Sequence, residues 1–383
     1  MSLGGRLAVY AGVLALLIPA LAVPAAAAPG AAQRPSTVGG PLLASRGVVA
    51  PKHAPALPDD ITAKGWVVAD ANTGAVLAAR DPHGKYLPAS TLKTLTALTL
   101  LPRLTNRQQI VEITDADVNV DGTRVGIVEH GRIKVETLFE CMLMMSGNDC
   151  ANALARTAGS VPSTLKLMDA TAHKIGALDT HAGTPSGLDA PGEHTSAYDL
   201  ALILRADLKI PDFQHYNHRL FGVIPKQPPH YKSIGFANDN LLLANHYPGL
   251  LAAKNGYTDA AHQEFVAAAQ QHGRRLIVTF MHGERYPVEM WKQVAQLFDW
   301  GFKLPQGVAP VGQLVTPRPP ATHRVHATPT PSAAPTRVAT RAAASTGGTD
   351  GSTGWIEPLA IGVGLVLAAA VLVGLLLRRR RTG

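Results

Sequence analysis

The spacing of apolar positions changes character several times along the chain. After Arg6 an unbroken apolar stretch, Leu7–Val23, leads to Pro24 and the run Ala25–Ala28. A basic start, a short apolar middle and a small-residue end predict an export leader over residues 1–28. From Trp66 the pattern is that of strands. Trp66-Val67-Val68-Ala69, the turn Asn72-Thr73-Gly74 and the return Ala75–Ala79 predict a hairpin, and Glu264–Ala269, a turn around Gly273 and Leu276–Met281 predict another. A helical pattern from Val288 to Trp300 follows the second hairpin, and residues 89–205 read as mostly helical with loops. Strands at both ends of a helical centre predict an α+β domain whose terminal strands share one antiparallel sheet. Finally, Leu359–Leu377 is uncharged for 19 residues, with Trp355 before it and Arg378–Arg381 after it. That length crosses a bilayer, and the arginines stay on the cytoplasmic side, so everything before residue 355 is expected outside.

Composition sharpens these boundaries. Residues 29–58 hold six prolines and no sustained period, and 34 of the 49 residues in 306–354 are Pro, Ala, Thr, Ser or Gly. Such sequence buries too little apolar surface to fold. The first segment is therefore expected as an extended tether and the second as a stalk that reaches at most about 150 Å. One globular domain is expected over 59–305, followed by the stalk, a membrane helix at 355–377 and an arginine tail at 378–383. The net charge of +8 belongs to the flanks: residues 59–305 carry 23 basic and 25 acidic side chains. A near-neutral domain lacks the basic face that meets phosphates, which excludes nucleic acid as a partner.

The chain has two cysteines, Cys141 and Cys150. On one continuous helix they would stand about 13 Å apart, beyond disulfide reach, and only a break at Ser146-Gly147 could bring them together. Two free, buried thiols are expected. Metal and nucleotide motifs are missing from the sequence, as is a Gly-x-Ser-x-Gly elbow, so no cofactor or metal is expected. His215 and His218 share a helical spacing, yet the prolines at 211, 225, 228 and 229 mark their surroundings as loop.

What stands out is Ser90-Thr91-Leu92-Lys93 after Pro88-Ala89. With Ser90 opening a helix, Lys93 lies one turn on and within reach of the hydroxyl. Serine needs an adjacent base to attack at neutral pH, and a lysine whose pKa is lowered by burial or by another cation can be that base. The same four residues recur at Ser163–Lys166. Only Ser90, however, is followed in order by Ser146-Gly147-Asn148 and by Lys254-Asn255-Gly256, so Ser163 reads as an ordinary helix start.

The ordered set Ser-x-x-Lys, Ser-x-Asn, Lys-x-Gly resembles the signature of penicillin-recognising serine enzymes. Val68-Ala69-Asp70, Thr73–Leu77, Arg80-Asp81-Pro82, Asp149, Thr184-Pro185-Ser186-Gly187-Leu188-Asp189 and Lys254 through Asp259 narrow the resemblance. They are similar to the D-alanyl-D-alanine carboxypeptidases of the low-molecular-weight penicillin-binding class, peptidase family S11. The likeness is strongest to actinobacterial members, which also carry an export signal and a C-terminal membrane anchor. It implies a β-lactamase/DD-peptidase-like fold, peptidoglycan stem peptides as substrate and β-lactams as covalent inhibitors. It also implies that Ser90 attacks the carbonyl between two D-alanines while Lys93 takes its proton. Ser146 and Asn148 would line the opposite wall, and the N–H groups of Ser90 and Tyr257 would form the oxyanion hole. Lys254, Asn255, Gly256, Tyr257 and Thr258 would bind substrate, with Arg285 as a second carboxylate partner.

The third motif departs from the family, whose Lys-Thr-Gly or Lys-Ser-Gly offers a hydroxyl to the substrate carboxylate. Here Asn255 stands in that place, Ala252-Ala253 precede the lysine, and His262 occupies a position where relatives carry a small residue. A recognition protein without turnover is therefore the alternative expectation. A class A β-lactamase would need a Glu-x-x-Leu-Asn segment between the second and third motifs, and Glu193 is followed instead by His-Thr-Ser.

Overall fold

The computed structural model describes residues 37–316. The expected leader, most of the stalk, the span at Leu359–Leu377 and the arginine tail lie outside the described residues. From the N-terminal side come a short strand β1 (Val48–Val49), the first hairpin β2 (Gly65–Asp70) and β3 (Ala75–Arg80), and helix α1 (Lys93–Leu100). Next are β4 (Ile110–Glu112), α2 (Asp115–Val118), β5 (Arg132–Lys134), α3 (Val135–Met144), α4 (Asn148–Thr157), α5 (Val161–Ile175) and α6 (Ala197–Asp207). Then come α7 (Pro211–His218), a small hairpin β6 (Phe221–Ile224) and β7 (Ile234–Ala237), and α8 (Leu241–Ala244). The chain closes with β8 (Leu250–Thr258), β9 (His262–Gln271), β10 (Arg274–Gly283), α9 (Met290–Lys303) and β11 (Gly312–Gln313).

Both expected hairpins form, and they meet in one antiparallel sheet of order β1-β3-β2-β10-β9-β8, with β11 also pairing β3. Successive side chains of a strand point to opposite faces. Val67, Ala69, Val266, Ala268 and Ile277 accordingly enter the core shared with the helical layer, while Trp66, Val68, Phe265, Ala267 and Val278 enter the one under α9. Burial on both faces is why these strands read as unbroken apolar runs. Helix α9 turns Val294, Leu297 and Phe298 onto the sheet, each fully buried side chain contributing about 1.5–3 kcal/mol. Among the described residues no helix is long and apolar enough to cross a membrane.

Two expectations differ from the structure. The ordered domain is wider than 59–305. Within the expected tether, Leu43 is buried, β1 pairs with β3, and Trp300 Nε1 donates to Pro55 O at 2.9 Å. Beyond 305, Val311 and Leu314 are buried and Tyr198 Oη donates to Gln313 O at 2.7 Å. Short, aperiodic segments that pack by turns leave no repeat to read, and Gly39 and Gly40, with φ of 81° and 125°, supply such a turn. The second difference is at His215 and His218, which lie on helix α7 and not in a loop. Pro211 is its first residue, where a fixed φ favours a helix and no N–H is needed. Among the described residues no cluster suited to a metal ion occurs there or elsewhere.

The cysteines follow the expected geometry. Helix α3 stops at Met144, the chain reverses through Ser146 in the left-handed region (φ 62°), and α4 starts at Asn148. Cys141 and Cys150 are both fully buried and free. Burial first, and the neighbouring Cys141 second, push the Cys150 thiol pKa up.

Candidate active site

Ser90 lies in a tight 3-10 turn, Ala89–Leu92, that runs straight into α1. Pro88 precedes the turn, and Ala89 holds an uncommon φ of 44°. One turn on, Lys93 points back beneath Ser90 and is fully buried. Its Nζ stands 2.8 Å from Ser90 Oγ, 2.7 Å from Asn148 Oδ1 and 2.8 Å from the carbonyl oxygen of Ser186. Two of these partners can only accept. A neutral amine has two N–H groups and one lone pair, so once Asn148 and Ser186 take the hydrogens the lone pair faces the Ser90 hydroxyl. Burial, and then the Lys254 charge, hold the Lys93 pKa well below the ordinary lysine value and shift the amine towards its neutral form, opposed by Asp239, Glu193 and Asp149.

Each acceptor is itself held. Asn148 starts α4, its N–H donates to Thr123 O at 2.8 Å, and its Nδ2 donates to Asp121 O at 2.7 Å. Buried Asp149 accepts from Val125 N at 3.0 Å, tying the same loop to the helix. On the other side, Thr184 Oγ1 accepts from the N–H groups of Gly187 (2.9 Å) and Leu188 (3.0 Å). Glu193 Oε2 in turn accepts from Gly183 N and Thr184 N at 2.9 and 2.6 Å. Burial raises the Glu193 pKa to about 7, and its bonds lock the turn that carries Ser186 rather than reaching Ser90. Ser146 is buried at the α3–α4 reversal, next in the chain to this cluster.

The third motif arrives on β8, the last strand of the sheet order. A Cβ on Gly256 would sit 2.7 Å from Ser90 N, so glycine is what lets this strand run against the catalytic turn. Lys254 is fully buried, with Nζ donating to Asn255 O (2.8 Å) and Asn255 Oδ1 (3.1 Å). Burial lowers its pKa, opposed by Asp239. Thr258 Oγ1 donates to Asp189 Oδ1 at 2.8 Å, joining the end of β8 to the loop after Ser186. Tyr257 is exposed, and its hydroxyl donates to Asp259 at 2.9 Å. Arg285 is exposed beyond β10, its guanidinium 5.8 Å from the centroid of the Tyr286 ring, and it makes no hydrogen bond with the Ser90 cluster.

Three participants escaped the sequence motifs: the Ser186 carbonyl, Glu193 and Asp239. Ser186 falls in the quoted Thr184–Asp189 segment, but a backbone acceptor leaves no trace in side-chain spacing. Asp239 belongs to no motif. It follows the β6–β7 hairpin, and its N–H donates to Met144 O at 2.9 Å, two residues before Ser146.

The electrostatics make one prediction. Removing the Lys254 charge by Lys254→Gln takes away the second-largest cause of the lowered Lys93 pKa, so that pKa rises. The acid limb of acylation is expected to move to higher pH, read from the pH profile of penicillin acylation. A limb that stays in place or moves down would remove Lys254 from the tuning of Lys93.

Comparison with known proteins finds relatives of one kind. The family model described as D-alanyl-D-alanine carboxypeptidase, Peptidase_S11, matches residues 51–285. D-alanyl-D-alanine carboxypeptidase DacB2 of Mycobacterium tuberculosis is 39% identical over 272 residues, covering 70% of this chain and 90% of the relative. DacD of Salmonella typhimurium is 32% identical, with 64% of each chain covered. The crystal structure of a D-alanyl-D-alanine carboxypeptidase from M. tuberculosis superposes with a TM-score of 0.65 at 38% identity, over 69% of this chain and 99% of the other. The Streptomyces K15 DD-transpeptidase, at 23% identity and a TM-score of 0.61 over 65% of this chain and all of its own, shares the fold.

Proposed function

The chain belongs to the D-alanyl-D-alanine carboxypeptidase family, S11, and from that premise we infer that it releases the terminal D-alanine of peptidoglycan stem pentapeptides through an acyl-enzyme on Ser90. The observation that carries this reading is the buried Lys93 Nζ standing 2.8 Å from Ser90 Oγ. Ser90 Oγ attacks the carbonyl between the two D-alanines as its proton passes to Lys93. The carbonyl oxygen turns towards the N–H groups of Ser90 and Tyr257, each such donor typically contributing a few kcal/mol. The C–N bond then breaks, and the leaving amine takes a proton relayed by way of Ser146. Water cleaves the resulting ester, returning the serine and the shortened peptide. No step calls on a cofactor or a metal. A β-lactam offers a strained amide in the same place and stops at the ester, which makes this drug class the expected covalent inhibitor.

For location, the leader pattern of residues 1–28 and the apolar Leu359–Leu377 followed by Arg378–Arg381 support a domain held outside the cell membrane by one C-terminal span. This rests on sequence alone. The functional test uses the full chain with an N-acylated peptide ending in D-Ala-D-Ala, measuring free D-alanine, and with penicillin, mapping the added mass by peptide digestion. D-Alanine release with an adduct on the peptide containing Ser90 is the expected result. An adduct without release would favour the second reading, motivated by Asn255, of a relative that binds wall peptides without turnover. Neither release nor adduct would sink both.

A further inference from the structure

The two ends of the described chain meet beside one histidine. His83, in the turn after β3, lies with its ring centroid 4.6 Å from that of Tyr198 on α6. The Tyr198 hydroxyl holds the C-terminal side, donating to Gln313 O at 2.7 Å and accepting from Val315 N at 2.9 Å. On the N-terminal side, His83 Nε2 stands 3.0 Å from Val38 O. The next carbonyl, Gly39 O, accepts from Gln313 N at 2.8 Å and ties the two ends together. A Cβ on Gly39 would lie 2.6 Å from Gln313 O and 2.8 Å from the Tyr198 side chain, so glycine is what lets the two ends close here.

The second ring nitrogen fixes the charge state. His83 Nδ1 stands 2.6 Å from Asp179 Oδ2. A carboxylate and a backbone carbonyl only accept, so both are satisfied only when each ring nitrogen carries a hydrogen, as imidazolium. Asp179 is itself held: Ser196 Oγ donates to the same oxygen at 3.2 Å, and Asp179 N donates to Asp199 Oδ2 at 2.7 Å. Burial works against a charged ring, but the bond and charge of Asp179, then the Val38 carbonyl and Asp199, raise the His83 pKa above its ordinary 6.5. Against burial, the His83 bond and charge in turn hold the Asp179 carboxyl below its ordinary range, helped by Ser196 and Lys85. Arg46, Asp81 and Lys85 line the same cavity as His83, and Tyr86 Oη donates to Asp81 Oδ2 at 2.5 Å.

Loss of the proton leaves one hydrogen for two acceptors. The shorter, charge-assisted bond to Asp179 keeps it, and the bare Nε2 lone pair then faces Val38 O. We propose that His83 is a pH-operated latch: as imidazolium it fastens residues 37–45 to the domain, and on losing its proton it lets them go. The folded chain binds this proton more tightly than the unfolded one. The latch is therefore fully fastened below the ordinary pKa of 6.5 and opens as pH rises through the raised folded value. Asp199, pushed up to about 7 by burial, ionises in the same range and is the group to be told apart. The device does not depend on the acyl-transfer chemistry at Ser90.

The test is hydrogen exchange read by mass spectrometry on the full chain, between about pH 5 and about pH 9, corrected for intrinsic exchange. The amides of Leu43 and Gln313, which donate to Gly40 O and Gly39 O, report the latch, with β9 and β10 as the internal reference. Protection at the two reporters is expected to fall about tenfold or more as pH rises, the scale set by one lost charge-assisted bond, while the reference stays level. His83→Asn should show the low protection at every pH. Asp179→Asn should move the transition to lower pH, because the carboxylate that raises the His83 pKa is gone. Protection independent of pH in the wild type would overturn the inference. So would a transition that survives in His83→Asn, which would belong to Asp199. A transition left in place by Asp179→Asn would overturn it too, and that arm stands even where His83→Asn does not fold.

Discussion

Lys93→Met is expected to lower the rate of Ser90 acylation by about 10²–10⁴-fold, the range a positioned general base typically contributes. The substitution keeps the length and most of the volume of the side chain but takes the amine, whose Nζ stands 2.8 Å from Ser90 Oγ, from beside the nucleophile. Asn148 and Ser186 remain where Asp121 O and the Glu193-locked turn hold them, so the defect belongs to proton transfer and not to a collapsed site. Penicillin acylation followed by intact mass reads it directly, with Ser90→Ala setting the floor. A variant acylated within a few-fold of the wild type would transfer the base to another group. Stability carries a second signature. Lys93 binds its proton more weakly in the folded chain than in the unfolded one. Between its lowered folded pKa and the ordinary lysine value the unfolded chain therefore holds more proton, and stability rises with pH across that window. The methionine variant should lose that slope. Two acceptors left without their donor cost about 1–3 kcal/mol each, offset by no longer burying an amine.

Gly187→Ala is expected to cost about 2–6 kcal/mol of stability, combining left-handed backbone strain with overpacking. Gly187 has a φ of 81°, and a Cβ there would lie 1.8 Å from the carbonyl oxygen of Ala89, the residue before Ser90. That neighbour is backbone, itself in a strained conformation, so nothing flexible can move aside. A melting temperature lower by on the order of 10 °C should be seen in a thermal scan. Activity should fall as well, because the adjacent Ser186 carbonyl is one of the two groups that orient the Lys93 amine. A melting temperature within about 2 °C of the wild type would contradict the close approach of the two segments.

How much of this was legible in the sequence follows from the range of each interaction. The hairpins at 66–79 and 264–281 were legible because both faces are apolar and the turns carry Gly74 and Gly273. Ser90 and Lys93 were legible because a separation of three residues is a property of one helical turn. The convergence of Lys254 and Asn148 on that pair spans the whole domain, and only the resemblance to a family indicated it. Helix α7 is not legible because Pro211, a residue that breaks a helix from within, here begins one. The packing of Leu43, β1 and β11 onto the domain is not announced by the sequence, because strands as short as β1 and β11 carry no period. Asp239 comes into the site through packing of a loop against the α3–α4 reversal, and no local pattern announces such a contact. Arg285, expected as a partner for a carboxylate, lies over the Tyr286 ring and makes no hydrogen bond with the catalytic cluster.

The two margins of the sheet are treated in opposite ways. At one, β1 and β11 both pair β3, so its backbone donors and acceptors are taken up by the chain's own ends. At the other, β8 pairs only β9 among the described residues, which leaves its outer backbone groups open. An unpaired margin also invites self-association, since any extended segment of a second molecule can pair with it. Proteins commonly deter this with a charge that points inward from the margin strand. Lys254 is such a charge, so the residue that tunes the catalytic base also guards the solubility of the strand that carries it.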